Sequence, residues 1–109
     1  MSSSLIQKKW TQNLETGEVY SLPLKVDTAE VATIQLVTEA GGHATLQISN
    51  DEKNPSNWFD VPTNMQPQVN LQSPGGFWNI SNLGCRFVRL KFNINHAGTA
   101  EFIALLKDT

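Results

Sequence analysis

Ala32-Thr33-Ile34-Gln35-Leu36-Val37-Thr38 and, past Gly41-Gly42, Ala44-Thr45-Leu46-Gln47-Ile48-Ser49 are the stretches whose reading decides the fold. In the first, Ala32, Ile34 and Leu36 share one side while Thr33 and Gln35 take the other. In the second, Ala44, Leu46 and Ile48 alternate with Thr45, Gln47 and Ser49. A period of two is the mark of a strand with one apolar and one polar face. Glycine takes positive φ without steric cost, so Gly41-Gly42 is expected to turn the chain and make the two strands a hairpin.

The same alternation extends outward from this pair. Leu5 to Gln12, Val19 to Leu24, Asn57 to Val61, Gln68 to Leu71 and Phe77 to Ile80 read as further strands. Glu15-Thr16-Gly17 and Ser73-Pro74-Gly75-Gly76 are breakers between them. Arg86 to Ile94 is the longest, with Val88, Leu90, Phe92 and Ile94 inward and Phe87, Arg89 and Lys91 outward. Asn95-His96-Ala97-Gly98 then turns the chain into Thr99 to Leu106. Eight or nine short strands with turn signals every 8–12 residues leave no room for a helical layer. They predict an all-β chain, a single antiparallel β-sandwich of jelly-roll-like form over residues 5–109, preceded by a mobile Met1 to Ser4. The last strand is apolar on both sides, since Ile103 and Leu105 oppose Phe102 and Ala104. It is therefore either central in a sheet whose outer face is covered, or its outer face meets a partner.

Composition narrows the function classes. Of 109 residues, 34 are Asn, Gln, Ser or Thr, and only 17% are charged. Three Trp and five Phe need burying, which argues against disorder. A net charge of −2 supplies no electrostatic footprint for nucleic acid or an anionic membrane, and no apolar run is long enough to span a bilayer. The lone Cys85 cannot form an internal disulfide, and Met1 to Lys9 lack a signal peptide's apolar stretch. Both suit folding in a cytoplasm.

No catalytic, cofactor or metal residue is expected. His43 and His96 sit in expected turns beside glycine, and no His-x-His, Cys-x-x-Cys or spaced acidic cluster is present. Cys85, entering a strand, reads as a small buried hydrophobe. Asp51-Glu52 has the oxygen-rich look of a calcium loop without its Asp-x-Asp alternation or glycine. It reads as a solvated loop in which Asn50 or Asp51 bonds back to the backbone.

Aromatic residues raise two further possibilities. Trp58 and Phe59 are neighbours on a strand, as are Phe77 and Trp78, so one of each pair points away from the core. Trp58 and Trp78, with Asp60 and Asn79 beside them, are candidate glycan contacts, because indole rings stack on sugars and amides or carboxylates bond hydroxyls. The alternative for the same side chains is core or subunit interface. Candidate interface residues are Leu5, Ile6, Trp10, Phe59, Phe87, Ile103 and Leu105. Leu5 to Trp10 has a second reading, as an arm that adds to a neighbouring subunit's sheet.

Ala44-Thr45-Leu46-Gln47-Ile48-Ser49-Asn50-Asp51, then Trp58-Phe59-Asp60-Val61, then Arg86-Phe87-Val88-Arg89-Leu90 resembles a pattern of small β-sandwich proteins of tailed bacteriophages. In those, a strand ends in Ser-Asn-Asp, a Trp follows within a loop's length, and a later strand carries aromatic-Val-Arg before a Gly-containing hairpin. The rhythm is also similar to the discoidin-type (coagulation factor C domain) jelly roll. Glu52 stands where the pattern has Gly, the loop to Trp58 is longer, and discoidin domains are longer and closed by a disulfide. The resemblance implies a turn role for Ser49 and Asn50, a core anchor in Trp58 and a sheet-face charge in Arg89. It further implies a virion protein, either capsid cement or decoration or tail-associated, assembled in a host bacterial cytoplasm. Its partners would be other virion proteins and copies of itself.

Overall fold

The computed structural model describes residues 4–26, 31–51, 56–62, 64–65, 68–71, 75–81 and 85–108. Ten strand segments make up the described fold, which is all-β: β1 (Ser4–Leu14), β2 (Gly17–Tyr20), β3 (Leu24–Lys25), β4 (Val31–Thr38), β5 (Gly41–Ser49), β6 (Phe59–Asp60), β7 (Val69–Leu71), β8 (Gly75–Ser81), β9 (Phe87–His96) and β10 (Gly98–Asp108). One sheet, here sheet A, runs β1-β10-β4-β8. The other, sheet B, runs β2-β9-β5-β6, with β3 also on β9 and β7 also on β5. Every pairing is antiparallel.

Two strands of sheet B are interrupted, and the sequence says why at one of them. Tyr20 pairs with Lys91, the Ser21 amide donates to Leu90 O, and Leu24 pairs with Val88. Leu22 and Pro23 therefore face Arg89 together, and Pro23 has no amide to give the ladder. Likewise β6 and β7 lie along β5 in one direction, opposite Gln47–Ile48 and Gly42–Ala44, with the chain leaving the sheet between them. Counting β2/β3 and β6/β7 as one strand each leaves eight strands. Sheet A takes the first, eighth, third and sixth, and sheet B the second, seventh, fourth and fifth. Interleaving of that kind is the double Greek key of a jelly roll.

The expected hairpin at Gly41-Gly42 is overturned. β4 lies in sheet A between β10 and β8, whereas β5 lies in sheet B against β9, β6 and β7. Thr38 to Gly41 is thus a corner between sheets. The glycines serve a bulge: Gly41 pairs with His96 and Gly42 with Ile94, with a register shift between them. Gly42 has φ +136°, and a Cβ there would come within 2.0 Å of Asn93 O, so only glycine fits. Asn95 to Gly98 is a second corner rather than a hairpin, carrying β9 of sheet B into β10 of sheet A.

Alternation correctly identifies the core faces. Ala32, Ile34 and Leu36 of β4 meet Val88, Leu90, Phe92 and Ile94 of β9 and Phe102, Ala104 and Leu106 of β10 in one core. Phe102 stacks on Trp10 with ring centroids 4.8 Å apart and meets Phe92 edge-on at 6.1 Å. Each such buried side chain contributes about 1.5–3 kcal/mol. Leu5 to Trp10 is not a free arm. It pairs with β10 from Ser4↔Asp108 to Leu14↔Gly98, so Ser4, expected to be mobile, is in the ladder. Met1 to Ser3 lie outside the described residues.

Candidate functional site

The outer face of sheet B carries a connected polar and aromatic arrangement. Register places Tyr20, Lys91 and Thr45 in one row and Arg89, Gln47 and Asp60 in the next. Trp58, two residues before Asp60, points the same way. The Arg89 guanidinium lies 3.9 Å from the Tyr20 ring centre and 4.3 Å from that of Trp58. Its Nε donates to Gln47 Oε1 at 2.8 Å, and Gln47 Nε2 donates to Asp60 Oδ1 at 2.8 Å. Gln47 is thereby only 6% exposed, although it is on an outward face. At the margin, Lys91 and Glu18 form an ion pair at 3.5 Å. Partial burial pushes the Arg89 pKa down, an effect opposed by Tyr20 and Glu18. The Tyr20 phenol is pushed up, chiefly by its hydrogen bond with Glu18. Beyond this row a shallow depression is lined by Glu18, His43, Asn93 and Asn95, where His43 Nε2 and Asn93 Nδ2 are 3.2 Å apart.

The candidate glycan residues separate. Trp58 and Asp60 meet on sheet B, but Trp78 is 2% exposed and faces the core from β8, while Asn79 points from the same strand to the outer face of sheet A. Trp78 is therefore corrected from a contact residue to a core one. Trp58 is corrected in the opposite sense: it is no core anchor and packs on Arg89. Tyr20 and Gln47 are the members that sequence reasoning missed. Their outward parity was legible, but not the β5–β9 and β2–β9 registers that gather them around Arg89.

The candidate interface residues also divide. Ile103 and Leu105 lie half-buried on the outer face of sheet A, where Val37 stands on adjacent β4 and Phe77 (60% exposed) on edge strand β8, with Gln35 between Phe77 and Ile103. Trp10 turns inward onto Phe102. Ile6 and Phe59 are exposed at sheet margins, opposite Leu106 and Ile48. Leu5 pairs through its backbone with Lys107, and its side chain lies outside the described ones. Phe87, expected outward, is only 7% exposed. Its cross-strand neighbour Ser49 is buried too, and the Arg86 amide donates to Ser49 O and to Asn50 Oδ1, tying the exit of β5 over that end.

Elsewhere the polar residues have local roles. His43 belongs to β5 rather than to a turn, and His96 ends β9. Cys85 is half-buried against the core, and burial pushes its thiol pKa up, away from thiolate chemistry. Asp51 accepts from the Ser56 amide at 2.6 Å and the Asn57 amide at 3.0 Å; Glu52 lies outside the described residues. Among the described residues no group of three His, Cys, Asp or Glu side chains is placed to hold a metal ion, and no helix is long and apolar enough to cross a membrane.

Fold and surface together define an all-β jelly-roll sandwich with two unlike outer faces, one carrying apolar side chains of β10 among polar neighbours and one polar and aromatic. No family model matches the chain, and no curated protein matches it in sequence. Among solved structures, it is similar to the SPBc2 prophage-derived protein YomS, with 9% identity and a TM-score of 0.54 over 92% of this chain and 95% of that one. At that identity the likeness is one of fold.

Proposed function

We propose that this chain is a non-enzymatic structural protein of a bacteriophage particle, a capsid cement or decoration protein or a tail component that acts through contacts with its own copies and with other virion proteins. The observation that carries this reading is the outer face of sheet A. Ile103 and Leu105 on central strand β10 put half-buried apolar side chains on it, with exposed Val37 on adjacent β4 and exposed Phe77 on edge strand β8, across Gln35 from Ile103. Apolar side chains on a central strand with an open outer face fit burial by a second body. Low charge suits assembly in many copies, because self-repulsion is small. The prophage origin of YomS supports the setting as an analogy of fold.

Sedimentation velocity over a range of concentrations tests this. The expected result is a defined oligomer, or co-sedimentation with capsids or tails, that Phe77→Asp abolishes while the circular dichroism of the fold is kept. A monomer at every concentration that binds neither capsids nor tails overturns it.

A second reading, carbohydrate recognition, is favoured by Trp58 and Asp60 standing together on the other sheet's outer face. It needs no oligomer and uses a different surface. A glycan array without any bound saccharide removes it.

A further inference from the structure

We infer that the outer face of sheet B is a receptor for a carboxylate-bearing saccharide, with the terminal nitrogens of Arg89 as the group that meets the acid. The inference rests on the carbohydrate reading and deepens it by naming the class of ligand and the residue that selects it.

Arg89 is held in place from three directions. Tyr20 comes from β2 on one flank and Trp58 from the β6 side on the other, with ring centres 3.9 and 4.3 Å from the guanidinium carbon. Gln47 holds Nε. Cation–π contact with two rings and one hydrogen bond fix the plane of the fork before any ligand arrives, so little side-chain entropy remains to be lost on binding. The terminal nitrogens, by contrast, make no hydrogen bond among the described residues, and no described carboxylate is within ion-pair distance. Glu18 is engaged by Lys91, and Asp60 accepts from Gln47 instead.

A partly desolvated guanidinium with its Nε occupied and its terminal edge unpaired among the described residues can take a further partner there. The group that matches that edge is a planar oxyanion accepting two parallel hydrogen bonds. The same partial burial pushes the Arg89 pKa down, and the nearby Tyr20 and Glu18 oppose that shift only in part.

The surroundings favour a saccharide over an acidic peptide. Along the same face lie the polar side chains of Thr45, Gln68, Asn70, His43 and Asn93, with Gln68, Asn70 and Asn93 exposed, and the depression beside Glu18 continues that row. Hydroxyl-rich ligands use such groups, whereas protein partners are held by buried apolar anchors, and the outward apolar residues Ile103, Leu105, Val37 and Phe77 lie on the opposite sheet.

Calorimetry on the intact protein, with the Trp58 indole signal followed by NMR, tests the inference. The probes are trigalacturonate, a glucuronate oligomer and a sialyl-oligosaccharide, each paired with its methyl ester, together with a glutamate-rich peptide. At least one acid is expected to bind at least tenfold more tightly than its own ester and to move the Trp58 signal. Arg89→Gln is expected to abolish that preference, and Arg89→Lys to restore part of it. Equal binding of acid and ester overturns the inference while the carbohydrate reading stands. No binding of any saccharide overturns both. Binding of the peptide as tightly as the best acidic saccharide overturns the inference in favour of a protein partner. The acid–ester comparison uses the wild-type chain, so a variant that fails to fold leaves the test intact.

Discussion

The hydroxyl of Thr38 donates to the carbonyl of Thr99 at 2.9 Å and accepts from the amide of Ala40 at 3.0 Å, tying together two chain segments 61 residues apart. Both residues border corners at which the chain leaves one sheet for the other, and a corner has no ladder to satisfy its backbone groups. Thr38 is buried, so water cannot take over these bonds. Thr38→Val keeps the shape and removes both. It is expected to lower stability by about 1–3 kcal/mol, since a buried amide loses its partner. Urea denaturation checks this, and Thr38→Ser, which keeps the hydroxyl, is expected to lose less.

The same two corners touch at Gly98. A Cβ built there would lie 2.8 Å from Ala40 N, 3.1 Å from its Cα and 3.3 Å from its Cβ. Two of these atoms are backbone, held by the Thr38 bond, so no side chain can swing aside. Gly98→Ala is expected to cost about 1–3 kcal/mol through overpacking. A thermal unfolding midpoint equal to wild type would show that the corners are not in contact in solution.

The corners also mark the limit of what alternation can convey. A period of two says which side chains of a strand share a face. It therefore found the buried sides of β4, β9 and β10 residue by residue. It says nothing about which strand lies alongside, and a hairpin and a sheet-to-sheet corner both ask for small, permissive residues. Gly41-Gly42 satisfied the first reading and belongs to the second. Phe87 failed for a related reason, because parity treats an outer face as open water, and the exit of β5 is tied over this one. In the candidate site Trp58 and Asp60 were legible as an aromatic and an acid two residues apart. Tyr20 and Gln47 join them only through long-range register, which carries no local signature.

Asp51 gives a pH signature. The backbone amides of Ser56 and Asn57, with the Asn57 side chain, hold its carboxyl pKa down to about 2 from 3.8. A carboxyl whose pKa is depressed in the fold contributes stability that is complete above the unfolded value and is lost as pH falls through the folded value. The advantage of wild type over Asp51→Asn is therefore expected to be flat above roughly pH 5, to shrink below about pH 4 and to keep falling through the folded value of about 2. Urea midpoints measured for both proteins across that range check it. A difference that does not change with pH would mean that Asp51 is not bonded to these amides in solution.

Gln47 supplies the last prediction, because it bridges Arg89 and Asp60 on the sheet B face without carrying a charge itself. Its amide oxygen accepts from Arg89 Nε and its amide nitrogen donates to Asp60. Reversing or deleting either bond leaves a charged group less well solvated than in water, since the side chain between them is nearly buried. Gln47→Leu keeps most of the volume and offers neither bond. It is expected to lose about 1–3 kcal/mol in urea denaturation. Gln47→Glu differs in kind. The new carboxylate still accepts from Arg89, but it meets the Asp60 oxygen that previously accepted a hydrogen bond from the Gln47 amide. Two carboxyl groups in that position favour sharing one proton, which raises the pKa of the pair. The Gln47→Glu protein is therefore expected to gain stability relative to wild type as pH falls into the carboxylate range, while the Gln47→Leu deficit changes much less. Parallel pH series on the two variants separate a bridge between Arg89 and Asp60 from simple filling of space, for which both variants would give the same pH profile.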